Sequence, residues 1–381
     1  MLNPSQLPWH FISGSSSSLY GSQFPELSLN LSVDLEESEY RQILFRDNLS
    51  SATIIRQSID ETLFGDPRQP TSARFVWDNW FVTSGQGVRG QSAPLPHDDI
   101  PGEQLAAAKQ VQYSLTRAQC STLFPESDFS LLMDELTQLG SSIGCSALTP
   151  PWLSVYTEGN LQNFHTDAPQ GPMAWTLSLS KGYGTTFTGG ETMMLSSKIL
   201  DYWREYDPTV GLETPSIMRF LPPTFGRFVA FDPRVPHAVQ QVKGTTNPQD
   251  GRLMIHGWFA QPEVIYFGDV TEELCGPTLN DAIEQVTDIL AGGDIGRVVG
   301  YLAVRLEIDT NGTVQSVLAV CDTIQADPAD FRGIVGYDDD GHEVLEDAPT
   351  DLKLTIREAL AALAFTSTPN GGAIVVPFDF V

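Results

Sequence analysis

Three side chains in this sequence have the types and spacing of a metal-ligand set: His165 and Asp167, separated only by Thr166, and the more distant His237. In an extended strand alternate side chains share a face, so His165 and Asp167 can meet on one ion while Thr166 points away. His237 must arrive from another strand. Two imidazoles and one carboxylate fill one side of a metal and leave the other open, a donor set that suits ferrous iron working with oxygen. A zinc hydrolase would use the same donors but has no need of the cation that follows, Arg252. Arginine presents a planar, two-pronged donor that stays protonated, which is what a buried carboxylate ligand requires.

The segments that must position these groups are readable around them. Gly226–Asp232 reads as a buried strand, His237-Ala238-Val239 as a turn, and Gly251–Phe259 as a second buried strand that opens on Arg252. Tyr156 and Gly159 precede His165, and Gly189-Gly190-Glu191-Thr192 lies between the metal-ligand candidates. Over residues 150–260 this combined pattern resembles the prolyl-hydroxylase-like branch of the Fe(II)/2-oxoglutarate-dependent dioxygenases.

The resemblance implies a double-stranded β-helix (jelly-roll) core. It also implies Fe(II) on His165, Asp167 and His237, with 2-oxoglutarate as cosubstrate and O2 as oxidant. Arg252 would anchor the distal carboxylate of 2-oxoglutarate, and Tyr156 would donate a hydroxyl to the same group. His256 lies four residues after Arg252, so strand parity turns it to the same face; relatives often carry Thr or Ser there. Ser178, on the strand after the metal pair, is a further pocket candidate. The implied reaction is hydroxylation of an unactivated C–H bond with release of succinate and CO2. Retention of Asp167 favours hydroxylation over halogenation, while desaturation and cyclisation use the same ligands. The implied substrate is a peptide, a protein or an amino-acid-like molecule. The alternatives are a small-molecule biosynthetic oxygenase and a non-catalytic binding protein on the same barrel. The intact set of four residues speaks against the last.

Composition narrows the partners. The 381 residues carry 21 basic and 48 acidic side chains, a net charge of −27, which repels phosphate backbones and anionic lipid and argues against nucleic acid or membrane partners. Solubility and attraction of a cationic substrate are both readings of that charge. No apolar run is long enough to span a bilayer, and the start of the sequence lacks the basic-then-apolar pattern of a secretory signal. Cys120, Cys145, Cys275 and Cys321 are widely spaced and read as reduced, buried thiols. A cytoplasmic protein is expected.

Along the chain four regions are expected, in an α+β architecture. Residues 1–149 form an N-terminal arm and helical support region. The arm is Ser- and Pro-rich over 1–30, helical spacing runs over 35–63, a buried strand over 75–82, and helices near 103–110 and 127–140. Residues 150–267 form the catalytic core, with short strands punctuated by Gly and Pro. An insertion between Thr192 and Pro222 carries Tyr202, Trp203 and Tyr206 as candidates for a substrate cover. Gln170, in the turn after Asp167, is a candidate for shaping access. Residues 268–295 read as a helical linker. Residues 296–381 read as a small ββαβ module with an Asn311-Gly312 hairpin. That module is similar to the C-terminal unit of TonB-type proteins, which implies a dimer or partner contact. Its Asp338–Gly341 loop lacks calcium-loop spacing and reads as a solvated turn.

Overall fold

The computed structural model describes residues 43–63, 78–83, 111–195, 217–292, 295–326, 335–337, 343–345 and 348–380. The 1–30 arm, the helix expected near 103–110, the insertion with Tyr202, Trp203 and Tyr206, and the Asp338–Gly341 loop lie outside these residues.

Helical spacing over 35–63 gives way to two elements. Ile43–Arg46 is a strand (β1), and the helix α1 starts only at Ser50–Thr62. Ile43–Arg46 has an unpaired sheet edge available, Phe228–Phe231, and pairs with it residue for residue; that tertiary hydrogen bonding outweighs local propensity. Leu49 cannot cap α1. Instead the carboxylate of Glu135 accepts from the backbone N–H groups of Ser50 and Ser51 at 3.0 and 2.9 Å, which satisfies two donors that a helix N-terminus leaves open.

The strands that follow are β2 (Asp78–Thr83), β3 (Val111–Gln119), β4 (Cys145–Leu148), β5 (Trp152–Tyr156), β6 (Leu161–His165), β7 (Met173–Ser178), β8 (Thr192–Leu195), β9 (Met218–Leu221), β10 (Phe228–Phe231), β11 (His237–Val239) and β12 (Arg252–Pro262), with helix α2 (Glu126–Ser142) between β3 and β4. Together with β1 they form a 12-stranded antiparallel sheet in the order β1-β10-β7-β12-β5-β3-β6-β11-β8-β9, with β2 on β3 and β4 on β12. The sheet curls over itself. Its bend is β3, which pairs with β5 through Thr116–Gln119 and with β6 through Tyr113 and Ser114. The β7-β12-β5 wall therefore faces the β6-β11-β8 wall across a cavity lined by both.

Alternation along β12 separates the two faces. Arg252, Met254, His256 and Trp258 line the cavity, whereas Leu253, Ile255 and Phe259 point outward into a buried apolar cluster. That cluster takes in Ile55 and Ile59 of α1, and Leu132, Leu136 and Leu139 of α2. The helices back one wall and leave the interior of the curl for side chains that bind.

After β12 come β13 (Ile265–Gly268), α3 (Glu272–Gly292), β14 (Val298–Ile308), β15 (Val314–Asp322), β16 (Gln325–Ala326), β17 (Val335–Tyr337), β18 (Glu343–Leu345), α4 (Ala348–Ala361) and β19 (Gly372–Phe380). A second sheet runs β13-β19-β14-β15, with β16 beside β14. The ββαβ order over 296–381 is thus joined by two earlier elements: β13 forms the sheet's edge, and α3 packs Cys275, Leu279 and Val286 into the same cluster as Leu352, Ile356 and Leu360 of α4. The opposite face of the sheet sends Tyr301, Ala303, Val320, Cys321 and Val375 into the cluster beneath β12. Tyr301 Oη donates to Ile143 O at 2.6 Å. The two sheets share one core.

Candidate active site

His165 ends β6 and lies opposite His237, the first residue of β11, in a paired register. His237 is therefore a strand residue and not part of a turn. Asp167 lies just past the end of β6, where Asp167 begins the short turn Ala168–Gln170 and its N–H donates to Pro233 O at 2.9 Å. Convergence of His165 and Asp167 comes from this turn, anchored to the β10–β11 connection, and not from strand parity alone.

The three side chains offer ligand atoms that all lie within 4.8 Å of one another. Asp167 is 3.8 Å from His165 Nε2 and 3.6 Å from His237 Nε2, each roughly the span of two metal–ligand bonds of about 2.1 Å. The tautomers are set by the backbone. His165 Nδ1 is 2.9 Å from Asn163 O, and His237 Nδ1 is 2.9 Å from Val235 O. A carbonyl only accepts, so both Nδ1 atoms carry a proton and both Nε2 atoms are turned toward Asp167. Burial, joined by neighbouring His237, lowers the pKa of His165. Burial works to raise Asp167, but the flanking imidazoles of His237 and His165 outweigh it and hold the carboxyl below its usual range. At His165 and Asp167 these shifts favour the neutral imidazole and the carboxylate that a divalent ion needs.

At one end of the cavity Arg252 is 3% exposed. It stacks on the Tyr156 ring at 4.7 Å, its Cα partner across β5 and β12. Its Nε donates to Gly190 O and its Nη2 to Thr192 Oγ1 at 3.2 Å. Burial raises the Tyr156 pKa, so the phenol keeps its proton and donates to Gln162 Oε1 at 3.2 Å. His256 lines the same wall, and burial followed by the charge of Arg117 lowers its pKa to about 3. It is a neutral ring whose Nε2 lies 2.8 Å from Ser154 Oγ.

Ser178 and Gln170 stand apart from this group and do not line the cavity. The Ser178 hydroxyl instead donates to Pro223 O at 2.9 Å. Among the lining residues that sequence reading missed are Ser154, Gln162 and Arg117. Ser154 precedes Tyr156 by two, so parity could have marked it. Gln162 sits three residues before His165 and would face away in a regular strand, but a register shift between the His165 and Gln162 pairs turns both inward. Its Nε2 lies 3.0 Å from His165 Nε2, where the amide donates to the lone pair a metal would use. Arg117 comes from β3, in the region read as support.

Neither a family model nor a curated protein matches the chain. Solved structures do show similarity to it. A Pseudomonas putida prolyl-4-hydroxylase is 15% identical over 58% of this chain and 92% of its own, with a TM-score of 0.34. A Trichoplax adhaerens prolyl hydroxylase in complex with a hypoxia inducible factor peptide fragment is 14% identical over 58% of this chain and 84% of its own, with a TM-score of 0.35. A Burkholderia pseudomallei oxidoreductase of the 2OG-Fe(II) oxygenase family is 11% identical over 58% of this chain and 87% of its own, also with a TM-score of 0.35. The TonB-type similarity of residues 296–381 finds no support among them. The structures similar to this chain are 2OG-Fe(II) oxygenases.

Proposed function

We propose that this chain is an Fe(II)- and 2-oxoglutarate-dependent dioxygenase that hydroxylates an unactivated C–H bond of a peptide, protein or amino-acid-like substrate. The observation that carries the reading is one cavity holding both halves of the requirement. His165, Asp167 and His237 present converging ligand atoms with their protons tied away. Arg252, a buried guanidinium, closes the end of the same cavity. When bound, ferrous iron supplies oxygen activation coupled to decarboxylation of 2-oxoglutarate. The chain's own work is to hold that ion on one side only, to pair Arg252 with the distal carboxylate, and to keep the Tyr156 phenol protonated as a donor beside it. The burial of Arg252 strengthens a charge-assisted contact made to it. Double-stranded β-helix topology, with β3 at its bend, and a supporting or partner-binding role for residues 296–381 belong to the same proposal.

The test is anaerobic addition of Fe(II) and 2-oxoglutarate, followed by oxygen. The visible charge-transfer band of the chelated iron and subsequent succinate are expected from the native chain. His165→Ala, Asp167→Ala and His237→Ala should each abolish both while circular dichroism stays native. A folded native chain that gives neither band nor succinate defeats the proposal.

A further inference from the structure

Two of the three side chains in the ligand triad are aimed by one short connection. Between β10 and β11 the chain runs Asp232-Pro233-Arg234-Val235-Pro236. Pro233 O accepts from Asp167 N at 2.9 Å, and Val235 O accepts from His237 Nδ1 at 2.9 Å. The connection therefore holds the backbone of one ligand and the ring of another. His165 is held elsewhere, its Nδ1 on Asn163 O at 2.9 Å. A shift of the connection would move two donors against the third.

The shape of that connection depends on a charged pair within it. Asp232 is 4% exposed. Its Oδ1 accepts from the backbone N–H of Arg234 at 2.9 Å and from Arg234 Nε at 2.8 Å, while its Oδ2 accepts from Arg234 Nη2 at 2.9 Å. Val235 N donates to Asp232 O at 3.1 Å. An aspartate that takes the N–H two residues on is a local turn device, and the two-pronged guanidinium adds a fixed plane to it. Further contacts reach outside the connection, where Thr323 Oγ1 donates to Asp232 Oδ2 at 2.8 Å and Arg234 Nη1 donates to Phe380 O at 2.7 Å. Neither Asp232 nor Arg234 lines the cavity. Each stands one residue from a carbonyl that orients a metal ligand, Asp232 beside Pro233 and Arg234 between Pro233 and Val235.

We propose that Asp232 and Arg234 are positioning residues of the metal site, their ion pair holding the Pro233 and Val235 carbonyls where those orient Asp167 and His237. The pair acts through the connection and touches neither metal, cosubstrate nor substrate. The assignment extends the dioxygenase reading above to residues outside the cavity, and it rests on that reading for the identity of the metal.

The experiment uses the full-length chain with Arg234→Met, Arg234→Lys and Asp232→Asn, and with Arg227→Met as a control. Arg227 makes a comparable pair with Asp47, at 2.7 Å, at the opposite end of β10. Nitrogen spectra of the imidazoles are read first, without metal and at mildly alkaline pH. The native chain should show His237 protonated on Nδ1 alone. Arg234→Met should add the Nε2-protonated form of His237 and leave His165 unchanged. Titration with Co(II) follows. Arg234→Met should weaken binding about tenfold, the low end for loss of a group that orients a ligand, and alter the visible bands of the bound ion. Asp232→Asn should act in the same direction, Arg234→Lys should recover most of the affinity, and Arg227→Met should leave it native. Native His237 spectra and native Co(II) affinity in Arg234→Met and Asp232→Asn overturn the proposal. So does an equal loss in Arg227→Met, because general loosening would then explain the effect. If Arg234→Met does not fold, Asp232→Asn decides by the same readings. If the native chain binds no Co(II), the dioxygenase reading falls, and the His237 spectra of the metal-free variants still decide the positioning role.

Discussion

Gln162 and a metal would compete for the same lone pair on His165. A net hydrogen bond is worth about 1 kcal/mol, so Gln162→Ala should tighten Co(II) binding about fivefold in calorimetry. Weaker binding would show that the amide positions the ligand instead of masking it. Arg252 is the reverse case, since removing it strands a buried carboxylate. Loss of one partner of such a pair costs about 2–5 kcal/mol, and Arg252→Ala should raise the KM for 2-oxoglutarate well over tenfold. His256 contributes to the acid sensitivity of the fold. Its folded pKa, about 3, is below the unfolded value of 6.5, so below pH 6.5 the unfolded chain takes up a proton the folded one refuses. Its contribution is present above pH 6.5 and is lost as pH falls toward 3. Between pH 7 and pH 5 the loss is about 2 kcal/mol. His256→Asn should flatten that part of the profile in urea titrations, and an unchanged slope would show that another group carries it.

Among the elements, the loop entering β8 places the anchor. Gly190 has φ +78°, and a Cβ there would meet Arg252 Cδ at 2.9 Å and Val242 Cγ2 at 3.1 Å. Its carbonyl also accepts from Arg252 Nε. Gly190→Ala should therefore lower stability by about 2 kcal/mol, combining left-handed strain with displacement, and weaken 2-oxoglutarate binding severalfold. Gly184 has a similar φ of +76° but open space around its Cβ position. Gly184→Ala should show strain alone and leave cosubstrate affinity unchanged. Equal effects from the two substitutions would detach Gly190 from the anchor.

For the whole molecule, the shared core makes the C-terminal sheet a support of the cavity wall. Thr323 Oγ1 donates to Asp232 at 2.8 Å, and Arg234 reaches across to Phe380 O at 2.7 Å. Among the described residues, none that lines the cavity comes from beyond Trp258. Removing residues 296–381 uncovers apolar surface at Ile143, Cys145 and Met173, which Tyr301 and Cys321 touch. The expected outcome is a lower Tm and aggregation, with metal affinity retained by whatever fraction stays folded. A well-folded truncated chain that cannot bind Co(II) would show that the unit does more than support.

The sequence by itself determined what depends on local spacing. The strand that opens on Arg252 and the shared face of Arg252 and His256 follow from backbone geometry over a few residues, whereas the convergence of His165 and Asp167 also needs the anchor at Pro233. The helix at Glu126–Ser142 and the hairpin at Asn311-Gly312 are local in the same way. Tertiary structure decided whatever needed a partner far along the chain. Ile43–Arg46 is a strand because β10 offers an edge. Gln162 faces inward because pairing with β11 shifts register. Arg117 enters the cavity because the sheet bends at β3. Tyr301 is core because the second sheet lies against the first. Register and curl arise from contacts between distant segments, and no short pattern encodes them.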